Sequence, residues 1–130
     1  MEGHQCMTTR FLAKAASFTD DGECTILAFA DDPNQPVNYV TLQISNEPKK
    51  EELAYGWRGV HIEAGALHID GYDLVQSICE THNGIMVKII AAAAEQAGIG
   101  TNIEIELKNK SLQGISMGEA LQRFKDRLTA

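Results

Sequence analysis

The chain has 130 residues with 18 Asp+Glu against 11 Lys+Arg, a formal net charge of -7, and its length suits one domain that buries about two-thirds of the surface its unfolded form exposes. Residues 1–80 carry 13 of the acidic groups and 5 of the basic ones. A negative field placed there repels nucleic acid and membrane surfaces and steers basic partners toward it. The three cysteines, Cys6, Cys24 and Cys79, are an odd number with no C-x-x-C pair. They fit a reducing compartment and a fold that needs neither disulfide nor metal.

In chain order, Met1 to Met7 has no basic start and no apolar stretch, so it reads as neither signal nor transit peptide. Residues 1–8 are expected to be disordered or a start-site extension of a single domain spanning 1–130, with Met7 an equal candidate start. Phe11 to Phe18 is a first strand, Ala-rich and weakly alternating, followed by a turn at Asp20-Asp21-Gly22. Cys24 to Ala30 is a second strand whose nearly continuous apolar run reads as buried on both faces. Two prolines in Asp31-Asp32-Pro33-Asn34-Gln35-Pro36 then mark a turn at a sheet edge. Val37 to Ile44 is a third strand, with Val40, Leu42 and Ile44 on one face and Tyr39, Thr41 and Gln43 on the other.

Ser45 to Gly56 is polar and acidic, read as a loop or a short helical turn opened by Pro48. Arg58 to Glu63 and Ala66 to Asp70 read as a hairpin joined around Gly65, with Val60, Ile62, Leu67 and Ile69 inward and His61, Glu63 and His68 outward. Asn83-Gly84 predicts a tight turn between Leu74–Thr81 and Ile85–Ile90, because this pair supplies the positive backbone angles such turns use. The segment Ile85 to Ala94 is interrupted by Lys88 and falls short of the ~20 apolar residues a membrane-spanning helix needs. Ala91 to Ala97 favours a short helix closed by Gly98. Ile103, Ile105 and Leu107 alternate with charged residues as a final, half-exposed strand. Ser116 with Glu119 three residues on caps a last helix whose stripe of Met117, Leu121, Phe124 and Leu128 docks on a sheet. The fold class is therefore α+β: a mainly antiparallel β-sheet meander of about seven to eight strands, a C-terminal amphipathic helix packed on one face, and a short Ala-rich helix.

Candidate chemistry is sparse. His61-x-Glu63 and His68-x-Asp70 put two imidazoles and two carboxylates on one side of the expected hairpin, an alternative reading as a metal-binding protein or metal-dependent enzyme. A solvated strand face gives the same alternation by default. Cys24 and Cys79 lie in apolar runs and read as inert core residues. No serine has the G-x-S-x-G context of a strained nucleophile turn. Gly98-x-Gly100 follows a helix and precedes a strand, the reverse of a phosphate-cradling loop. No run of basic residues interleaved with aromatics marks a nucleic-acid surface. No catalytic residue and no cofactor is assigned.

The polar stretch remains, with Glu47, Glu51, Glu52, Tyr55, Trp57 and Arg58. Trp, Tyr and Arg dominate interface hot spots, and here carboxylates surround them; a plug for the end of the core is the other reading of Tyr55 and Trp57. Ala28-Phe29-Ala30-Asp31-Asp32-Pro33, then Tyr39-Val40-Thr41-Leu42-Gln43, then Glu51-Glu52 and Gly56 ahead of Val60-His61-Ile62-Glu63 form an ordered set. That set resembles the immunity protein 10 family, small cytosolic bacterial proteins encoded beside polymorphic secreted toxins. The likeness covers roughly residues 26–63, continues more loosely through the Ala-rich segment and Ile103-Glu104-Ile105, and departs at Gly71-Tyr72-Asp73-Leu74. It implies a cytoplasmic, non-enzymatic protein that neutralises a cognate protein toxin by binding. Joined to the charge pattern, it places the partner-binding site on Asp31, Asp32, Glu47, Glu51, Glu52, Tyr55 and Trp57, with no nucleic-acid or membrane partner. A self-associating module, a homodimer through a strand edge or the last helix, is a further alternative.

Overall fold

Alternation of apolar and polar residues builds most of this molecule, and at Lys14, where the alternation changes phase, the chain passes from one sheet to the other. The computed structural model describes residues 8–21, 23–32, 34–35, 38–45, 60–108 and 115–129. Among them are nine strands and two α-helices: β1 Thr8–Ala13, β2 Ala15–Asp20, β3 Cys24–Ala30, β4 Tyr39–Ser45, β5 Val60–Ala64, β6 Ile69–Tyr72, β7 Val75–Glu80, β8 Gly84–Ile89, α1 Ala91–Ala97, β9 Asn102–Leu107 and α2 Met117–Thr129. The α+β class, the antiparallel meander and the C-terminal helix are as expected. The strands divide between two sheets, ordered β2-β3-β4-β5-β6 and β1-β9-β8-β7. The first is an antiparallel meander throughout. In the second, β1 pairs in parallel with β9, from Thr8↔Asn102 to Ala13↔Leu107.

The expected strand Phe11–Phe18 is two strands. Phe11 and Ala13 face the core from β1, whereas Ala16 and Phe18 face it from β2, so the inward phase slips by one residue at Lys14. The Lys14 amide donates to the Ala30 carbonyl at 3.0 Å, which fastens this corner. The weak alternation over this stretch is the trace of the bend, since a one-residue slip exchanges the two faces. Thr8 opens β1; residues 1–7 lie outside the described residues.

β3 has the predicted bounds but alternates, with Thr25, Leu27 and Phe29 buried and the residues between them half-buried. It is not covered on both faces. Val40, Leu42 and Ile44 of β4 are buried as expected. They meet Val60 and Ile62 of β5, Val75 and Ile78 of β7, Ile85, Val87 and Ile89 of β8, and Ile103 and Ile105 of β9 in a core that both sheets share. α2 contributes Met117, Ala120, Leu121 and Phe124 to it and touches β3, β4 and β7, spanning the two sheets rather than covering one. The side chain of Leu128, the last of the expected stripe, lies outside the described residues. The helix start is capped as expected, the Glu119 amide donating to Ser116 Oγ at 3.1 Å. α1 ends at Gly98, whose φ of 75° and amide bonds to the Ala94 and Glu95 carbonyls are the expected left-handed cap.

The hairpin β7–β8 forms, but its turn is centred one residue earlier than predicted. The Thr81 amide donates to the Gly84 carbonyl at 2.8 Å, leaving His82 and Asn83 as the central pair, and neither has a positive φ. Gly84 begins β8 instead. Cys79 lies on the solvent side of β7, opposite Met86, and is exposed, so it is not a core residue. Cys24 is half-buried, and its sulfur accepts a bond from Gln43 Nε2 at 3.2 Å.

Two turns are held by carboxylates. Asp21 Oδ1 accepts the Glu23 and Cys24 amides at 2.9 Å each, and Asp32 Oδ1 accepts the Asn34 and Gln35 amides at 2.8 and 3.0 Å. For Asp21 the Cys24 amide first, and for Asp32 the Asn34 amide first, holds the carboxyl below its ordinary pKa. A carboxyl group depressed in the folded state stabilises above its unfolded value of 3.8 and ceases to do so as pH falls through the lower folded value. The urea midpoint of the protein is thus expected to drop below about pH 4, and the double variant Asp21→Asn, Asp32→Asn to show a flatter decline. Parallel declines in the two proteins would show that these turns do not carry the acid sensitivity.

Candidate partner-binding surface

β4, β5 and β6 send their buried residues inward and so must present the alternate residues on one outer face. Pairing sets these in rows: Thr41 beside Glu63 beside Asp70, and Gln43 beside His61 beside Tyr72, with Tyr39 at the β3–β4 end. Tyr39 donates its hydroxyl to Glu63 Oε2 at 2.8 Å. That donation, ahead of burial and of the Glu63 and Asp70 charges, holds the phenol above its usual pKa. Space for the ring is provided by Gly65, where any Cβ would collide with the Tyr39 ring atoms. His61 Nε2 lies 2.9 Å from Asp70 Oδ1, and its ring meets Tyr72 edge to face at 4.9 Å. Tyr72 itself is 64 % exposed and, with Leu12, is one of two large apolar side chains exposed among the described residues.

The hairpin carrying this face differs from the expected one in its connection. β5 ends at Ala64, a single 3-10 turn covers Gly65–Leu67, and β6 starts only at Ile69. His68 therefore sits in a left-handed conformation with φ 57° and ψ 38° instead of on a strand. Leu67 reaches the core from the 3-10 turn. The metal alternative on His61, Glu63, His68 and Asp70 fails on this geometry. His61 is paired with Asp70, Glu63 with Tyr39, and His68 has left the strand, so among the described residues no three His, Cys, Asp or Glu side chains form a metal-binding group.

Of the seven residues assigned to partner binding, Asp31 and Asp32 are described. Both are half-buried, and both serve their own loop. Asp31 Oδ2 accepts the Asn38 amide and its Nδ2, each at 3.1 Å, while Asp32 holds the turn described above. Glu47, Glu51, Glu52, Tyr55 and Trp57 lie outside the described residues, as do Arg58 and the possible helical turn near Pro48. The chain leaves the sheet at Ser45 and re-enters it at Val60, at the opposite end of β4 from Asp31 and Asp32. A seven-residue strand separates these ends by about 20 Å. The outer face of β4–β6 is the surface that joins them. Sequence reasoning recognises the polar side of β4 but misses Tyr72, whose position at the end of a four-residue strand has no periodic signal.

Among the described residues no helix is long and apolar enough to cross a membrane. No curated protein matches the chain. A family model does, that of immunity protein 10, over residues 12–113, from the last two residues of β1 through β2–β9 and past the end of β9. With that span matched, the chain belongs to the immunity protein 10 family.

Proposed function

We propose that this chain is a non-enzymatic immunity protein that binds and neutralises a cognate bacterial toxin in the cytoplasm. Family membership over residues 12–113 carries the reading. The acidic first part of the chain agrees with it, because a basic toxin surface would be drawn in by long-range attraction and held by a few desolvated anchors. The interface is placed on Glu47, Glu51, Glu52, Tyr55 and Trp57 between β4 and β5, with Asp31 and Asp32 acting from the loop at the other end of β4. The direct test mixes the purified protein with the toxin domain encoded beside it. A 1:1 complex and loss of toxin activity at stoichiometric amounts are expected; a toxin that stays fully active in excess protein would refute the reading.

Charge reversal tests the placement. Glu51→Lys with Glu52→Lys is expected to slow association about tenfold at low salt, with the difference from the unaltered protein shrinking as salt rises, because steering is screened over about 10 Å at 0.1 M. Stopped-flow traces that coincide for the two proteins would remove this segment from the interface.

A further inference from the structure

Beside the outer face of β4–β6 lies a cavity of about 130 Å³ between β6 and α1. Its lining is mixed: Ile69, Leu74, Ala93 and Ala97 are apolar, and His68, Asp70 and Gln96 are polar. We infer that this cavity is the anchor pocket for one basic side chain, arginine or lysine, of the bound toxin; the inference rests on the toxin-binding reading and names where and how the toxin is gripped.

The chemistry fits such an occupant on several independent counts. A long basic side chain needs an apolar channel for its methylenes and an acceptor for its head. Leu74, Ala93 and Ala97 give the first, and Asp70, with a side chain 70 % exposed, gives the second. His61, bonded to Asp70 from β5, fixes that carboxylate. Gln96 and Ala97 belong to the last turn of α1, the end of a helix that favours cations. Between Arg58 and Lys88 the sequence has no lysine or arginine, whereas Glu63, Asp70, Asp73 and Glu80 fall in that interval, so no basic residue of this stretch competes for the site.

The backbone points to the same place. β6 is bracketed by His68 at φ 57° and Asp73 at φ 63°, the two non-glycine residues with positive φ among those described. Left-handed conformations cost such residues about 1–2 kcal/mol each and gather at ligand clamps and active sites. Here they shorten β6 to four residues, and the first of them is His68 on the cavity wall. Tyr72 stands exposed on the same strand two residues from Asp70, an aromatic side chain of the kind interfaces favour.

The experiment measures the dissociation constant of this protein for the purified, catalytically inactive toxin domain encoded beside it. Asp70→Lys places a cation where the toxin's would sit. Gln96→Lys does so from an exposed position on α1 where folding is not at stake. Each is expected to raise Kd by about 100-fold or more, mostly through faster dissociation. Glu95→Lys, an equal charge change to Asp70→Lys on the exposed side of the same helix, is expected to stay within about threefold. Circular dichroism and thermal melts confirm that each variant is folded. If the unaltered protein does not bind the toxin, the toxin-binding reading falls, and the pocket assignment with it. If it binds and both pocket variants match it, the pocket assignment alone is overturned. That assignment is overturned too if Glu95→Lys weakens binding as much as they do, since the effect would then belong to the overall field. Light scattering covers the remaining case: a dimer that Asp70→Lys dissociates would make a second copy of this chain the occupant, and would likewise overturn the assignment.

Discussion

Gly84→Ala is expected to cost about 3 kcal/mol or more and to lower the thermal midpoint by about 10 °C or more. A Cβ at this position would be driven onto the backbone carbonyl oxygen of Ile105, with the Ile105 carbonyl carbon at 3.0 Å and the Leu107 nitrogen at 3.1 Å. These are main-chain atoms of β9, the strand that lies between β8 and β1, so they cannot swing aside as a side chain would. Gly84 is held from both sides. Its carbonyl accepts the Thr81 amide, while the preceding Asn83 carbonyl accepts the Leu107 amide, both at 2.8 Å. To admit a methyl group, the ladder between β8 and β9 must open at the end where the hairpin is tied. The contrast is Gly98, which has φ 75° and no atom within 4 Å of its would-be Cβ. Gly98→Ala meets only the left-handed backbone penalty, about 1–2 kcal/mol. A Gly84→Ala protein melting within about 2 °C of the unaltered one would mean that β8 and β9 are not this close.

Gly84 also shows how sequence reading can find a hairpin through a wrong mechanism. Asn83-Gly84 suits a turn pair with positive backbone angles, and the hairpin is there, yet the central residues are His82 and Asn83 and the glycine serves close approach to a third strand. Periodicity reports what a strand does to its own two faces, so β4, β9 and the α2 stripe were legible, whereas the nearly continuous apolar run of β3 hid its one-sided burial. It is silent on which strands become neighbours. The parallel pairing of Phe11 with Ile105 joins residues far apart in the chain, and only the core that β1 and β9 share brings them together. The corner at Lys14 left a faint mark because alanines on both sides blur the alternation that a larger residue would have kept.

The candidate surface was legible in the same uneven way. The alternation put His61, Glu63 and Asp70 on a common outward side, which is where they are. Their chemistry stays open until their bonding partners are known, since a histidine and a carboxylate two residues apart suit a metal or a solvated strand equally. The bond from Tyr39 to Glu63 and the pair His61–Asp70 decide against the metal. Asp31 and Asp32 carry a local duty besides the partner role proposed for them: aspartate is common in turns because it binds nearby backbone amides, and here both do. The cavity between β6 and α1 depends on elements that are not neighbours in sequence, so no local pattern announces it.

The second large effect falls on the C-terminal helix. Phe124→Ala is expected to cost about 3–5 kcal/mol, a substantial part of the roughly 5–15 kcal/mol typical of a domain, even though α2 lies beyond the segment matched by the family model. Phe124 has no exposed surface, and neither do Met117 and Ala120 on the same stripe. The helix touches β3 and β4 of one sheet and β7 of the other, so truncation opens a void between sheets that no single strand can shift to fill. The loss should therefore be global. Urea unfolding followed by far-ultraviolet circular dichroism and by amide exchange at Val40, Leu42 and Ile103 is expected to give one common, lowered midpoint. Helix signal lost early while those strand amides stay protected would show that α2 is a detachable cover, not part of the shared core. The distinction bears on function because Val40, Leu42, Ile62 and Ile69 form the inner side of the strands whose outer side carries Tyr39, His61, Asp70 and Tyr72. If the core is common, Phe124→Ala weakens toxin binding only by lowering the folded fraction, and the affinity of the molecules that remain folded is unchanged.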